Sequence, residues 1–83
     1  MNYSFTQNAL KELRGLEIVI QKRIIEKLDF YVAMDNPLVF AKSLRDSKFG
    51  EYRFRVGEYR VIFDVRGNEI VILTIGHRRD IYK

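Results

Sequence analysis

The sequence predicts an α+β fold in which two N-terminal helices pack on one face of a mostly antiparallel four-stranded sheet, in the order β-α-α-β-β-β. Residues before position 35 carry apolar side chains at the three-to-four-residue spacing of helices, whereas residues from 52 onward alternate with the period of strands. Tight-turn glycines at positions 57 and 67 divide the second half into strands. A chain of this length suits one domain, so residues 1–83 are expected to fold as a single unit.

The first predicted elements are a short strand and a short helix. Tyr3 and Phe5 flank a polar side chain, which is the alternation of a strand. Thr6 is a suitable N-cap for a helix over residues 8–13, and Gly15 is expected to end that helix.

A second, longer helix is predicted over residues 16–34. Two adjacent apolar stripes cover about half of its circumference, a face wide enough to contact the sheet and also a partner chain. Asn36-Pro37 ends this helix, because proline disfavours a helical residue before it. Residues 38–44 are predicted to add one or two helical turns. The stripes consist of Leu16, Ile20, Ile24, Leu28 and Tyr31, and of Ile18, Ile25 and Val32.

Three strands follow, namely Tyr52–Val56, Tyr59–Arg66 and Ile70–Ile75, with two-residue turns between them. The last is apolar on both faces, as expected of a central strand, and Gly76 is predicted to release the chain into a basic tail. The N-terminal strand must also pair with this sheet. Parallel pairing beside the last strand is one arrangement, and the pattern does not fix it.

The predicted hairpin brings arginines together on one face of the sheet. Its two-residue turn places Arg55 opposite Arg60, with Arg53 two residues along the same face. The other face is apolar and must line the core, and like charges opposite one another destabilise a sheet. Clustered guanidinium groups therefore indicate an anion site, since arginine binds phosphate through two parallel hydrogen bonds. The alternative is solvated arginines splayed apart, with Glu58 or Asp64 as partial partners.

The predicted basic tail contains two side chains suited to proton transfer. His77 is the only histidine in the chain, and imidazole can accept and donate protons near neutral pH. Tyr82 can donate a proton or stack on a base. The alternatives are a structural or exposed histidine and an aromatic side chain that seals the edge of the core.

Charge and composition narrow the classes of partner. The formal net charge is +4, and residues 1–41 hold five basic and five acidic side chains, so the whole excess lies in residues 42–83. Such a surface suits a polyanion, either nucleic acid or an acidic protein. The sequence contains no cysteine, one histidine and no glycine-rich phosphate loop, so neither a metal nor a small-molecule cofactor is expected. No apolar run is long enough for a membrane span, and a cytoplasmic protein is expected.

These motifs resemble the RelE branch of the RelE/ParE toxin superfamily. The resemblance lies in residues 52–63 (YRFRVGEYRVIF) and 75–82 (IGHRRDIY), preceded by residues 44–45 and 48–52. It implies a RelE-like fold and the toxin of a type II toxin–antitoxin pair, with an acidic antitoxin as partner and no required homo-oligomer. The implied activity is metal-independent, ribosome-dependent cleavage of mRNA by attack of a 2′-hydroxyl on the adjacent phosphate.

The resemblance also implies residue roles. Some members use a lysine base on the second strand, where this chain has Arg53 and Arg55, so proton transfer is assigned to His77 or Tyr82. Two other functions remain open: a ParE-like inhibitor of DNA gyrase, and a non-catalytic member that only binds its antitoxin. The implied catalytic residues are Arg60, His77, Arg78 and Tyr82, and the implied RNA-binding residues are Arg53, Arg55, Arg79 and Lys48.

Overall fold

The computed structural model describes residues 1–45 and 47–82 and confirms the α+β class. Helices α1 (Gln7–Arg14) and α2 (Ile18–Ala33) cover one face of a sheet. A 3₁₀ turn, Pro37–Phe40, follows α2. The strands are β1 (Asn2–Phe5), β2 (Lys42–Ser43), β3 (Tyr52–Val56), β4 (Tyr59–Arg66) and β5 (Glu69–His77).

The strand order is β1-β5-β4-β3-β2, which puts β5 in the interior of the sheet as its two apolar faces predict. Strand β1 lies parallel to β5, the arrangement that the sequence left open. All other neighbours are antiparallel. No helix within the described part of the chain is long and apolar enough to cross a membrane.

The sheet has five strands where four were predicted. Residues 38–44 form only the short 3₁₀ turn before the chain becomes extended at Ala41. Asn36 caps that turn by accepting a hydrogen bond from the Leu38 N–H. Strand β2 then pairs antiparallel with the outer edge of β3, so Lys42 lies opposite Arg53. An unpaired strand edge exposes backbone donors and acceptors, and β2 satisfies some of them.

The core lies between the helices and the face of the sheet predicted to be apolar. Thr6 caps α1 as expected, because its Oγ1 accepts from the Ala9 N–H at 3.1 Å. The ring of Phe54 packs between Tyr31 and Phe63, with centroid distances of 4.5 and 4.4 Å. The wide apolar face of α2 is only partly buried against the sheet, since Ile18 remains 63% exposed.

The end of β5 differs from the prediction in a way that matters for the site. Gly76 does not release the chain; the strand continues to His77, which pairs with Tyr59, while Gly76 pairs with Arg60. The tail turns only after this point. Backbone hydrogen bonds from Asp80 and Ile81 to the His77 carbonyl then close it into a compact turn.

Candidate functional site

The predicted hairpin register is confirmed. Arg55 lies directly opposite Arg60, and Arg53 lies opposite Ile62. Side chains of paired residues share one face of a sheet, so the three arginines project on the face away from the helices. We call this surface, together with Arg78 and Tyr82 of the tail, the arginine face.

Arg60 is the buried centre of the arginine face. It is 7% exposed, and its Nη1 donates to the carbonyls of Gly57 and Tyr59, both at 3.1 Å. Burial lowers the pKa of its guanidinium below the usual range, because the charged form loses water. Neighbouring positive charges lower this pKa further, because they disfavour the charged form of Arg60. These charges belong to Arg53, Arg55 and Arg78.

Arg78 joins the arginine face through the hairpin turn. Its Nε lies 2.6 Å from Oε2 of Glu58, and its backbone N–H donates to the Glu58 carbonyl at 2.8 Å. Both side chains are more than half exposed, so the ion pair contributes little to folding. Its effect is positional, because it holds the tail beside the turn that precedes Arg60.

Tyr82 is held by an apolar anchor. Ile81 is 8% exposed and packs on Gly76, where an added Cβ would lie 3.1 Å from Ile81 Cδ1. Glycine at position 76 therefore permits the close approach of the tail. The Tyr82 ring meets Phe49 edge to face at 5.5 Å. Its Coulombic effect raises the pKa of Arg60, opposite in direction to the effect of the neighbouring arginines.

The loop before β3 covers the rest of this face. Gly50 sits directly over Ile62, since an added Cβ would lie 2.6 Å from Ile62 Cγ2. Lys48 lies on this loop and lines a cleft of about 420 Å³ with Thr74 and Asp80. The structure therefore places Lys48 in the neighbouring cleft.

The structure does not bring His77 to the arginine face. His77 pairs with Tyr59 and therefore projects on the helix side of the sheet, where the two rings meet edge to face at 5.5 Å. Its Nδ1 accepts from the Arg79 N–H at 3.1 Å, and the Arg79 side chain is exposed. The expected placement was wrong because β5 runs two residues past Ile75, and successive residues of a strand face opposite sides.

The two carboxylates considered as partners for the hairpin arginines pair with other arginines. Glu58 binds Arg78, as described above. Asp64 binds Arg66 at 3.0 Å and accepts from the Glu51 N–H at 2.9 Å. Within residues 1–45 and 47–82, Arg53, Arg55 and Arg60 form no salt bridge. No cluster of three histidine or carboxylate side chains suited to a metal occurs in these same residues.

One cation on this face was missed from the sequence. Lys42 lies opposite Arg53 in the β2–β3 pair and is exposed. A two-residue strand carries no measurable period, and residues 38–44 were predicted as helix, so no sequence signal aligned Lys42 with the arginines. Lys42 extends the arginine face to the edge of the sheet.

A family model described as the ParE toxin of type II toxin–antitoxin systems, parDE, matches residues 3–82. This match and the fold agree with the resemblance seen in the sequence. The chain belongs to this toxin family, within the RelE/ParE superfamily.

Individual relatives are of the same type. Toxin RelG of Mycobacterium tuberculosis is 33% identical over 81 residues, which cover 95% of this chain and 92% of that protein. Toxin RelE3 of Methanocaldococcus jannaschii is 29% identical over 85 residues, with 99% and 96% covered. Among solved structures, a chain of the toxin–antitoxin complex RelBE2 of Mycobacterium tuberculosis matches this chain with a TM-score of 0.77 and 29% sequence identity. The match covers 93% of this chain and 96% of that one. The RelB–RelE complex of Methanococcus jannaschii matches with a TM-score of 0.72 and 26% identity, covering 94% and 93%.

Proposed function

We propose that this toxin is a metal-independent endoribonuclease that cleaves mRNA on the ribosome, in the cytoplasm. The observation that carries the proposal is that Arg53 and Arg55 share a sheet face with the buried Arg60, while Arg78 is bonded to the adjacent hairpin turn. Such a cluster is electrostatically unfavourable by itself, and a phosphate with its developing negative charge relieves the repulsion. A nucleic-acid backbone supplies that charge.

The reaction that fits this face is transfer of a phosphodiester to the adjacent 2′-hydroxyl. The 2′-hydroxyl gives its proton to water as its oxygen bonds to phosphorus, the bond to the 5′-oxygen breaks, and that oxygen takes up a proton. The products are a 2′,3′-cyclic phosphate and a 5′-hydroxyl. Arg60 and Arg78 neutralise the charge that builds on the phosphoryl oxygens, while Arg53 and Arg55 hold the strand. Because His77 projects on the opposite face of the sheet, we assign to Tyr82 the donation of a proton to the departing 5′-oxygen.

The same proposal includes an acidic antitoxin as the partner of this chain. The two related toxins in the RelBE2 and RelB–RelE complexes are bound to antitoxins. Here the complementary features are the basic arginine face and the exposed apolar positions of α2, such as Ile18 and Val19. An antitoxin that covers the arginine face would supply carboxylates to Arg53, Arg55 and Arg60, which form no salt bridge within residues 1–45 and 47–82.

The test is single-turnover cleavage of mRNA on programmed ribosomes, with the new RNA ends mapped. Arg60→Gln removes the central donor and is expected to lower the rate at saturating toxin by about 10²–10³-fold. Arg23→Gln, an exposed change on α2, serves as the matched control and leaves the rate unchanged. Intact mRNA with the wild-type protein, or equal rates for Arg60→Gln and wild type, contradicts the proposal.

A second candidate is inhibition of DNA gyrase. The observation that favours it is the description of the matching family model, which names a ParE toxin. A supercoiling assay with purified gyrase separates the two functions. Loss of supercoiling with intact ribosomal mRNA would replace the nuclease proposal, and a protein inactive in both assays that still binds an antitoxin would be a non-catalytic member.

A further inference from the structure

The arginine face does not end at β3. Lys42 lies opposite Arg53, and its side chain makes no salt bridge with the described residues. Like charges at directly opposed positions of a sheet repel one another. Two cations thus lie opposite one another at the edge of the sheet, as Arg55 and Arg60 do in the hairpin. The same reasoning indicates a second anion site at Lys42 and Arg53.

A small cleft of about 220 Å³ adjoins this pair. One wall is cationic and the other is apolar and aromatic, a combination that suits a nucleotide, whose phosphate binds cations while its base packs on a ring. The lining residues are Val39, Phe40, Ala41, Lys42, Arg53 and Arg55.

The aromatic wall is held in place by the core. The Phe40 ring stacks on Tyr31 with centroids 5.0 Å apart and an interplanar angle of 24°, and Tyr31 in turn packs on Phe54. Phe40 nevertheless remains 41% exposed and its neighbour Val39 69% exposed. Two large apolar side chains thus stand open to solvent beside the cations, although the 3₁₀ turn that carries them is fixed at both ends.

The spacing of the strands separates this cleft from the centre of the site. Strand β2 lies two strand intervals from β4, or about 10 Å. Lys42 also lies level with Ile62 of β4, whereas the carbonyls of Gly57 and Tyr59 hold the Arg60 guanidinium at the hairpin turn, so the two cations differ in strand and in position along the strands. A single RNA strand that crosses the sheet from β4 to β2 would place a neighbouring nucleotide at the β2 edge.

We propose that Lys42, Phe40 and Val39 form a second nucleotide subsite, which binds the phosphate and base of a nucleotide flanking the cleaved bond. The inference rests on the proposed RNA-cleaving function and adds a position that controls affinity for the strand. Because the subsite is remote from the reacting phosphate, it acts on binding and leaves the chemical step unchanged.

The first test uses Lys42→Gln, with Lys22→Gln on α2 as the matched control. In single-turnover cleavage on programmed ribosomes, Lys42→Gln is expected to raise the toxin concentration for half-maximal rate by roughly fivefold, the scale of one phosphate contact. The rate at saturation stays at the wild-type value. Lys22→Gln changes neither quantity, and Lys42→Arg retains the affinity because it keeps the charge.

The second test separates mRNA from ribosomal RNA as the ligand of Lys42. Binding of a fluorescent single-stranded RNA octamer is measured against salt concentration, and Lys42→Gln is expected to reduce the slope of log K by about 0.7, the value for one phosphate of a single strand. An abasic nucleotide is then moved along the octamer. Binding of the wild-type protein should weaken most at one flanking position, and Phe40→Leu should reduce that weakening.

Each outcome bears on one of the two proposals. If Arg60→Gln slows cleavage while Lys42→Gln leaves the half-maximal concentration and the salt slope unchanged, the subsite is wrong and the proposed function stands. If Lys42→Gln weakens only the ribosomal reaction, Lys42 contacts the ribosome and the subsite is again wrong. A wild-type protein that neither binds nor cleaves RNA overturns both.

Discussion

Replacing Ile81 by alanine tests whether the tail must be docked for the site to form. Ile81 is 8% exposed and is the main apolar contact of the tail with β5, through Gly76. The change removes three carbons, each worth about 0.8 kcal/mol when buried, or about 2.4 kcal/mol in all. Since 1.4 kcal/mol is a factor of ten, the docking equilibrium of the tail should weaken by roughly 50-fold.

The backbone N–H of Arg78 is the reporter, because its hydrogen bond to the Glu58 carbonyl lies where the tail leaves β5 and is expected to open when the tail undocks. Hydrogen exchange followed by NMR should show its protection fall by roughly 50-fold in Ile81→Ala. Cleavage on programmed ribosomes should fall as well, since Arg78 and Tyr82 leave the arginine face together. Ile18→Ala is the matched control, because Ile18 is 63% exposed and its truncation leaves both readouts unchanged.

Two results would refute this reasoning. Unchanged protection at Arg78 would mean that the ion pair with Glu58, and not Ile81, holds the tail. Reduced protection with a wild-type cleavage rate would mean that the tail residues are not needed at the site. The second result would leave Arg60 with only the hairpin arginines as functional partners.

Three further predictions follow from individual contacts. His77→Gln should keep the cleavage rate within about threefold of wild type, because the His77 side chain faces the helices. Tyr82→Phe should lower the rate at saturation by at least about 10²-fold. Equal losses of rate in the two variants would return His77 to the mechanism. Burial, and the hydrogen bond that Tyr3 donates to Asp29, raise the pKa of Tyr3 to about 12 from an unfolded value near 10, so the stabilisation is complete below pH 10 and lost as pH rises towards 12. The thermal midpoint should therefore fall more between pH 10 and pH 12 in wild type than in Tyr3→Phe, and parallel curves would contradict this. Gly50→Ala should destabilise the protein by about 1–3 kcal/mol, because the added methyl group would collide with Ile62. Gly15→Ala should not destabilise it, because the methyl group there meets only ordinary van der Waals contacts. Thermal unfolding of both variants would test the difference.

Much of the sheet could be predicted because its signals are local. The alternation of Tyr52–Val56 with Tyr59–Arg66 and the glycine turn between them fix both strands and their register, so the opposition of Arg55 and Arg60 follows from sequence alone. Gly57 adopts a φ of 59°, as the predicted turn requires. The positions of the hairpin arginines in the candidate site could be predicted for the same reason.

The errors arise where structure depends on distant partners. Strand β2 exists because the edge of β3 is available at Lys42 and Ser43, and nothing within residues 38–44 indicates that edge. His77 was misplaced because glycine at position 76 suggested a strand end, whereas tertiary contact with Ile81 makes glycine necessary inside the strand. Both errors changed the membership of the site: one cation was gained and the histidine was lost.

One face of the sheet is buried and apolar, and the other carries the clustered arginines. This separation explains how so basic a site can be held in place. The helix face buries the rings of Tyr31, Phe54 and Phe63, which fixes β3 and β4 without help from the charges. The arginine face can then keep its guanidinium groups close together, although their repulsion and the burial of Arg60 both disfavour the arrangement. A cluster held in this way before an anion arrives loses little freedom on binding. In the proposed function, the apolar core would therefore contribute to phosphate binding indirectly, by holding like charges together until a ligand neutralises them.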